Sequence, residues 1–348
     1  MPEQGRLAPG EPRSAGSISH RRVPQAWPAD RRFRILSIDG GGIRGIFPAA
    51  ILARLELEHA ARNPIGTYFD LIAGTSTGGI LALGLGAGLS ANVLLAIYLG
   101  RGDEIFPPLG SVGTWLRNAY QFAAYSYDRA ALESVLTDTL GDRLFGESRN
   151  RLCIPSFDGR HSEVFVFKTP HHPDYRTDRY QRMVDVGLAT SAAPTYFRPL
   201  DHGGYRLVDG GVWANNPTMI GVIEALTCFT ISPDQIDVLS LGCGNEPYVV
   251  SNAQTAWGGL WHWRSIIHAA MRLQALAATN QARLLLGPPA VTRIDPPNFN
   301  PPILMDDYAR SVELLIPAVE QVLSPVEASV AATYLREPTA CYIPVRIA

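Results

Sequence analysis

A chain of 348 residues that is 46% hydrophobic and carries a formal net charge of -2 can bury a sizeable core and offers no global charge for a DNA or RNA polymer. Its basic residues are nearly all arginine, and Lys168 is the only lysine, which argues against Schiff-base chemistry. Cys153, Cys228, Cys243 and Cys341 show no CxxC spacing, so neither a zinc site nor a disulfide framework is expected and a reducing, cytoplasmic compartment fits best.

Residues 1–32, rich in proline, glycine, serine and arginine, read as a disordered tail without the apolar run of a signal peptide. Residues 33–348 read as one domain. Arg34 to Asp39 has the pattern of a short buried strand, followed by Gly40-Gly41-Gly42-Ile43-Arg44-Gly45 and a helix from Ile46 to about His59. A glycine loop after a strand also opens dinucleotide folds, where an acid about twenty residues on closes the next strand. Here the acids at that spacing, Glu56 and Glu58, fall inside the helix pattern. A better use for these glycines is an oxyanion hole, because N–H groups without side chains can converge on a carbonyl oxygen that is becoming negative.

The next strand, Leu71-Ile72-Ala73, runs into Gly74-Thr75-Ser76-Thr77-Gly78 and then an apolar helix. Small residues on both sides of Ser76 allow a strained turn that lifts its hydroxyl over a helix N-terminus, which makes Ser76 the candidate nucleophile. Leu71 to Gly100 contains no charged residue, yet its hydroxyls, Asn92 and dense glycine fit a buried strand and helix better than a membrane span.

Beyond Gly100 lie prolines and the aromatics Trp115, Tyr120, Phe122, Tyr125 and Tyr127, suited either to a lid or lipid-facing rim or to packing under a long loop. Asp128 is placed to cap a helix over Arg129 to Leu140, and Glu163 to Phe167 reads as a strand. Val184 to Phe197 reads as a small-residue helix ended by Pro194. A strand over Tyr205 to Val208 then delivers Asp209-Gly210-Gly211 and Asn215-Asn216-Pro217 at a sheet end, where α/β folds present catalytic groups. Val238 to Gly242 reads as a strand, Arg264 to Leu286 as a helix carrying Arg272 and Arg283, Pro288 to Pro302 as loop and Tyr308 to Val322 as a last helix. Among the histidines, His161, His171 and His172 fall in polar loops, and only His202, seven residues before Asp209, stands near enough in sequence to a candidate site to suggest a triad.

Asp39-Gly40-Gly41-Gly42-Ile43-Arg44-Gly45, Gly74-Thr75-Ser76-Thr77-Gly78 and Asp209-Gly210-Gly211, in this order over residues 33–220, resemble the patatin-like phospholipases. The resemblance implies a three-layer α/β/α fold with a mostly parallel sheet and a lipid acyl hydrolase that needs no metal or cofactor. It implies Ser76 as nucleophile, Asp209 as its dyad partner, the backbone of Gly40, Gly41 and Gly42 as oxyanion hole, and Arg44 facing a substrate phosphate or orienting the glycines. Within the family the chain is most similar to CapV-type bacterial phospholipases of anti-phage systems. That similarity implies activation by a cyclic dinucleotide, phospholipid cleavage at the inner face of the membrane, and a regulatory part in residues 221–348. There Arg264, Arg272, Arg283 and Arg293 with Trp257, Trp261 and Trp263 are the candidate sensor, a solvated helical face being the other reading of the helix arginines. An unregulated esterase or thioesterase and a non-catalytic lipid-binding protein are the alternatives on the same fold.

Overall fold

A computed structural model describes residues 21–61, 63–107, 125–244 and 266–346. Its centre is a pair of parallel strands, β1 (Phe33–Ile38) and β2 (Leu71–Gly74), aligned so that Ile38 stands beside Gly74. Next in the chain come β3 (Arg151–Asp158), β4 (Glu163–Lys168), β5 (Leu200–His202), β6 (Tyr205–Asp209), β7 (Ile236–Leu241) and β8 (Val291–Ile294), giving the order β5-β6-β3-β2-β1-β7-β8 with β4 beside β3. Strands β8, β7, β1, β2 and β3 are parallel, whereas β4, β5 and β6 add antiparallel pairings at one side.

Alternation along β1 explains the layers. Leu36 and Ile38 point into one core with α1 (Ile46–His59), α2 (Thr77–Gly86), α3 (Ala91–Ile105), α4 (Arg129–Leu140) and α5 (Met183–Thr190). Phe33 and Ile35 point into the other, against α7 (Thr218–Cys228) and α8 (Ile266–Leu286), with the short α6 (Gly211–Ala214) leading in. Helices α9 (Tyr308–Leu323) and α10 (Glu327–Tyr334) close the first layer. Being covered on both faces, the central strands read as continuous apolar runs. The three-layer α/β/α architecture expected from the sequence is present. Helix starts follow ordinary capping: Asp128 accepts the Ala130 N–H at 3.1 Å and Ser90 accepts the Val93 N–H at 3.2 Å.

Several elements differ from the sequence reading. The small-residue helix stops at Thr190 instead of reaching Pro194, since Ser191 leaves helical geometry. The proline-rich stretch holds β8, which pairs with β7 from Val238↔Val291 to Leu241↔Ile294. Strand β3 escaped notice because Pro155 sits inside it, in the gap where pairing with β2 ends at Cys153 and pairing with β6 begins at Ser156. Among the described residues no single helix is long and apolar enough to cross a membrane. Trp115, Tyr120, Phe122, Trp257, Trp261, Trp263 and Arg264 lie outside the described residues.

Candidate active site

Strand β2 ends at Gly74, and two residues later Ser76 adopts φ 54° and ψ -121° before α2 begins at Thr77. A non-glycine residue held there is strained, and the surroundings fix it. Its N–H donates to Thr190 Oγ1 at 3.0 Å, and the Thr190 hydroxyl donates to the Pro155 carbonyl at 2.6 Å. Gly74 and Gly78 permit the tight elbow, for a methyl group on Gly78 would stand 2.7 Å from the Asp39 carbonyl oxygen.

Asp209, the last residue of β6, is held by pairing with β3 and by its own main-chain N–H, which donates to the Ala192 carbonyl at 3.0 Å. The Asp209 carboxylate faces Ser76 closely enough for the hydroxyl to favour its ionised form, and its Oδ1 accepts the Gly211 N–H at 2.7 Å. Burial pushes this carboxyl up to about 6, while the neighbouring Ser76 hydroxyl and the Gly211 N–H pull the other way. The group is therefore ionised at neutral pH yet basic enough to take a proton. Gly210 packs against Pro155 and opens α6.

The glycine loop lies across from this pair. Gly40 differs from its expected role, because its N–H already donates to the Asn215 carbonyl at 3.0 Å. Gly41 and Gly42 line the cavity, and among the described residues their N–H groups have no protein acceptor, so the donors available for an oxyanion narrow to these two. Gly42 has φ +60°. Behind the loop, Arg44 donates from Nε to the Gly41 carbonyl at 3.3 Å and from Nη1 to the Ile303 carbonyl at 3.5 Å, and it does not line the cavity. Its guanidinium is thus tied to the glycine loop's own carbonyl and turned away from the cavity. Gly45 caps α1 beside Tyr98, whose hydroxyl stands 2.5 Å from Thr77 Oγ1.

Arg293, placed by its sequence among the candidate sensor arginines, has a different role that sequence reasoning missed. It donates to both Asp39 oxygens at 2.9 and 2.6 Å, to both Asp295 oxygens at 2.7 Å and to Ser240 Oγ at 2.8 Å. Burial pushes Asp39 to about 6 against the pull of Arg293, so the pair is ionised at neutral pH. With its N–H groups so engaged, Arg293 is withdrawn from the candidate phosphate sensor. Arg283 is exposed and Arg272 half-buried on α8.

Ser76, Asp209, Gly41 and Gly42 meet at a cavity of about 270 Å³ whose walls are apolar, among them Ile80, Ile97, Phe106, Leu136 and Phe197. Tyr127 packs on the Phe106 and Phe197 rings and donates to Asp306 at 2.9 Å, so this aromatic belongs to the packing around the rim. No histidine among the described residues lines the cavity. His202 Nε2 is 2.6 Å from Gln181 Oε1 instead.

His171 and His172 are buried, contrary to their polar-loop reading. His171 bonds Glu224 at 3.0 Å, and Lys168 bonds the same carboxylate at 2.6 Å. Although burial alone would raise it, Lys168 and His171 hold Glu224 well below the carboxylate range. The ligand atoms of Cys153, His171 and Glu224 lie within 4.8 Å of one another, but the carboxylate already has its cation, and the cluster is read as a buried ion pair.

Residues 36–222 match the model of the patatin-like phospholipase family. The chain belongs to this family. It is an ester hydrolase by that membership, and its relatives sharpen the comparison. It is 37% identical over 247 residues to an Escherichia coli protein named cGAMP-activated phospholipase, covering 66% of this chain and 68% of that one. A Vibrio cholerae protein of the same name is 37% identical over 249 residues, with 66% and 70% covered. Patatin-like protein 2 of Oryza sativa subsp. indica is 32% identical over 288 residues, with 72% and 69% covered.

Proposed function

We propose that this chain cleaves acyl esters of membrane phospholipids through Ser76 and Asp209, and that a cyclic dinucleotide of the cGAMP class activates it. The observation that carries the reading is the meeting of Ser76, on its strained elbow, and Asp209 in the lining of one apolar cavity. An acyl chain lies along the apolar walls with its carbonyl over Ser76. Asp209 takes the Ser76 proton as Oγ attacks, and the carbonyl oxygen becomes negative against the Gly41 and Gly42 N–H groups. Collapse expels the lysolipid alkoxide, which takes the proton from Asp209, and leaves an acyl-enzyme for water to cleave.

The activator rests on the printed names of the Escherichia coli and Vibrio cholerae relatives. Residues 221–348 carry the response in this reading, and the enzyme works at the inner face of a membrane. The test is fatty-acid release from phosphatidylglycerol and phosphatidylethanolamine vesicles with and without 3′,3′-cGAMP. Release that appears with the nucleotide and vanishes in Ser76→Ala supports both halves. Equal release without it would remove the activator and leave an unregulated lipase.

A further inference from the structure

The mechanism above leaves the side chain of Asn215 unused. Asn215 and Asn216 are adjacent and both buried, yet they are wired differently. Asn216 Nδ2 donates to the Ala275 carbonyl at 3.3 Å and to Thr279 Oγ1 at 3.1 Å, and its Oδ1 accepts the Thr218 N–H at 2.9 Å. Asn216 is scaffold. Asn215, 2% exposed, gives its main-chain carbonyl to the Gly40 N–H, but its Oδ1 has no donor among the described residues. Leaving such an acceptor unmet costs about 1–3 kcal/mol, so it calls for a partner that arrives during the reaction.

Its position says which reaction step. Asn215 lines the same cavity as Ser76 and Asp209. A methyl group on Gly40 would lie 2.7 Å from Asn215 Oδ1 and 3.2 Å from Ser76 Cβ. One on Gly211 would lie 3.1 Å from Asn215 Oδ1 and 3.0 Å from Asp209 Oδ1. The carboxamide is thus wedged between the loop that carries the oxyanion donors and the loop that carries the base. An acceptor oxygen cannot stabilise an oxyanion, which is itself an acceptor. It suits a molecule with two protons to give, next to a carboxylate that takes one of them.

We propose that Asn215 is a further catalytic residue that holds the hydrolytic water in the second half-reaction; this rests on the Ser76–Asp209 reading. The water donates one hydrogen to Asn215 Oδ1 and the other to Asp209, which aims its lone pair at the acyl carbon. Its oxygen bonds that carbon as the proton passes to Asp209. The tetrahedral intermediate then collapses, the bond from carbon to Ser76 Oγ breaks, Oγ recovers the proton from Asp209, and the fatty acid leaves. With no histidine among the described residues lining the cavity to orient the water, a second fixed acceptor supplies the direction.

The test separates the two half-reactions with 4-nitrophenyl octanoate, full-length protein and cGAMP present. Wild type should give a nitrophenol burst and then steady turnover. Asn215→Leu should keep the burst, with steady turnover reduced roughly 10- to 100-fold, kcat and KM falling together, and an octanoyl adduct on Ser76 in the intact mass. Asn215→Asp keeps an acceptor of the same shape and should recover turnover, at higher pH because neighbouring carboxylates raise each other. A lost burst in both variants, or unchanged turnover in Asn215→Leu, would overturn the proposal alone. Wild type that forms no adduct and releases no nitrophenol would instead overturn the ester-hydrolase assignment on which it stands.

Discussion

Arg293, at the end of the sheet, grips both carboxylate oxygens of Asp39 at 2.9 and 2.6 Å, and Asp39 is the residue from which the glycine loop departs. A contact between positions so far apart in sequence therefore sets where Gly41 and Gly42 stand. Removing one partner of a buried pair leaves the other charged and alone, at a loss of about 3–5 kcal/mol. Arg293→Met should lose about that much in urea unfolding. Arg293→Lys, which keeps the charge and loses the fork, should fold and turn over more slowly with KM little changed. Wild-type turnover in Arg293→Lys would show that the loop does not depend on this grip.

The acid limb of activity should be set by Asp209. Only the ionised carboxylate can take the Ser76 proton, and burial places its pKa near about 6. In vesicle or nitrophenyl ester assays, kcat/KM should rise through that pH, level off above it and fall about tenfold per pH unit well below it. A flat profile from pH 5 to 8 would contradict a carboxylate base.

The same shift has a stability sign that runs opposite to activity. The folded pKa lies above the usual 3.8, so the folded state keeps a proton that the unfolded chain has already released. Stability from this group is complete below the unfolded value, declines as pH rises toward about 6 and stays reduced above it. Asp209→Asn has no such term. Chemical denaturation at pH 8 should find it more stable than wild type by up to about 3 kcal/mol, with the difference shrinking toward pH 4, while hydrolysis is lost. A variant less stable at pH 8 would mean that the carboxylate is better solvated than its burial implies.

Gly42→Ala tests the oxyanion donors. At φ +60° an alanine is strained, and its methyl group would run into the Met305 main-chain carbonyl, so the loop must shift and the N–H with it. Turnover should fall on the order of a hundredfold with little change in KM, since the donor acts on the transition state. Matching losses in binding and turnover would point to a blocked cavity instead.

Much of this architecture was legible because buried parallel strands and glycine elbows leave continuous local patterns. Ile35 to Ile38, Leu71 to Gly74 and the strand before Asp209 are of that kind. Thr190, Asn215 and Arg293 are not. Each is an ordinary residue type whose surroundings are set by the fold, Thr190 and Arg293 by partners far away in sequence, and Asn215 differs from Asn216 only by what surrounds its amide. Strands β3 and β8 were hidden for a local reason, since Pro155 and the prolines flanking Val291 to Ile294 look like loop until the neighbouring strands are in place.

The burial of Lys168 against Glu224 also decides which reagents can reach this molecule. As the only lysine, with 17% of its side chain exposed, it leaves the folded surface almost without side-chain amines. Succinimidyl dyes, amine-directed cross-linkers and lysine acetylation will therefore modify the native protein sparsely. Probes of its surface cations must be chosen for guanidinium, as phenylglyoxal is, and a sudden gain of amine reactivity at Lys168 would serve as a sensitive sign that the far side of the sheet has opened.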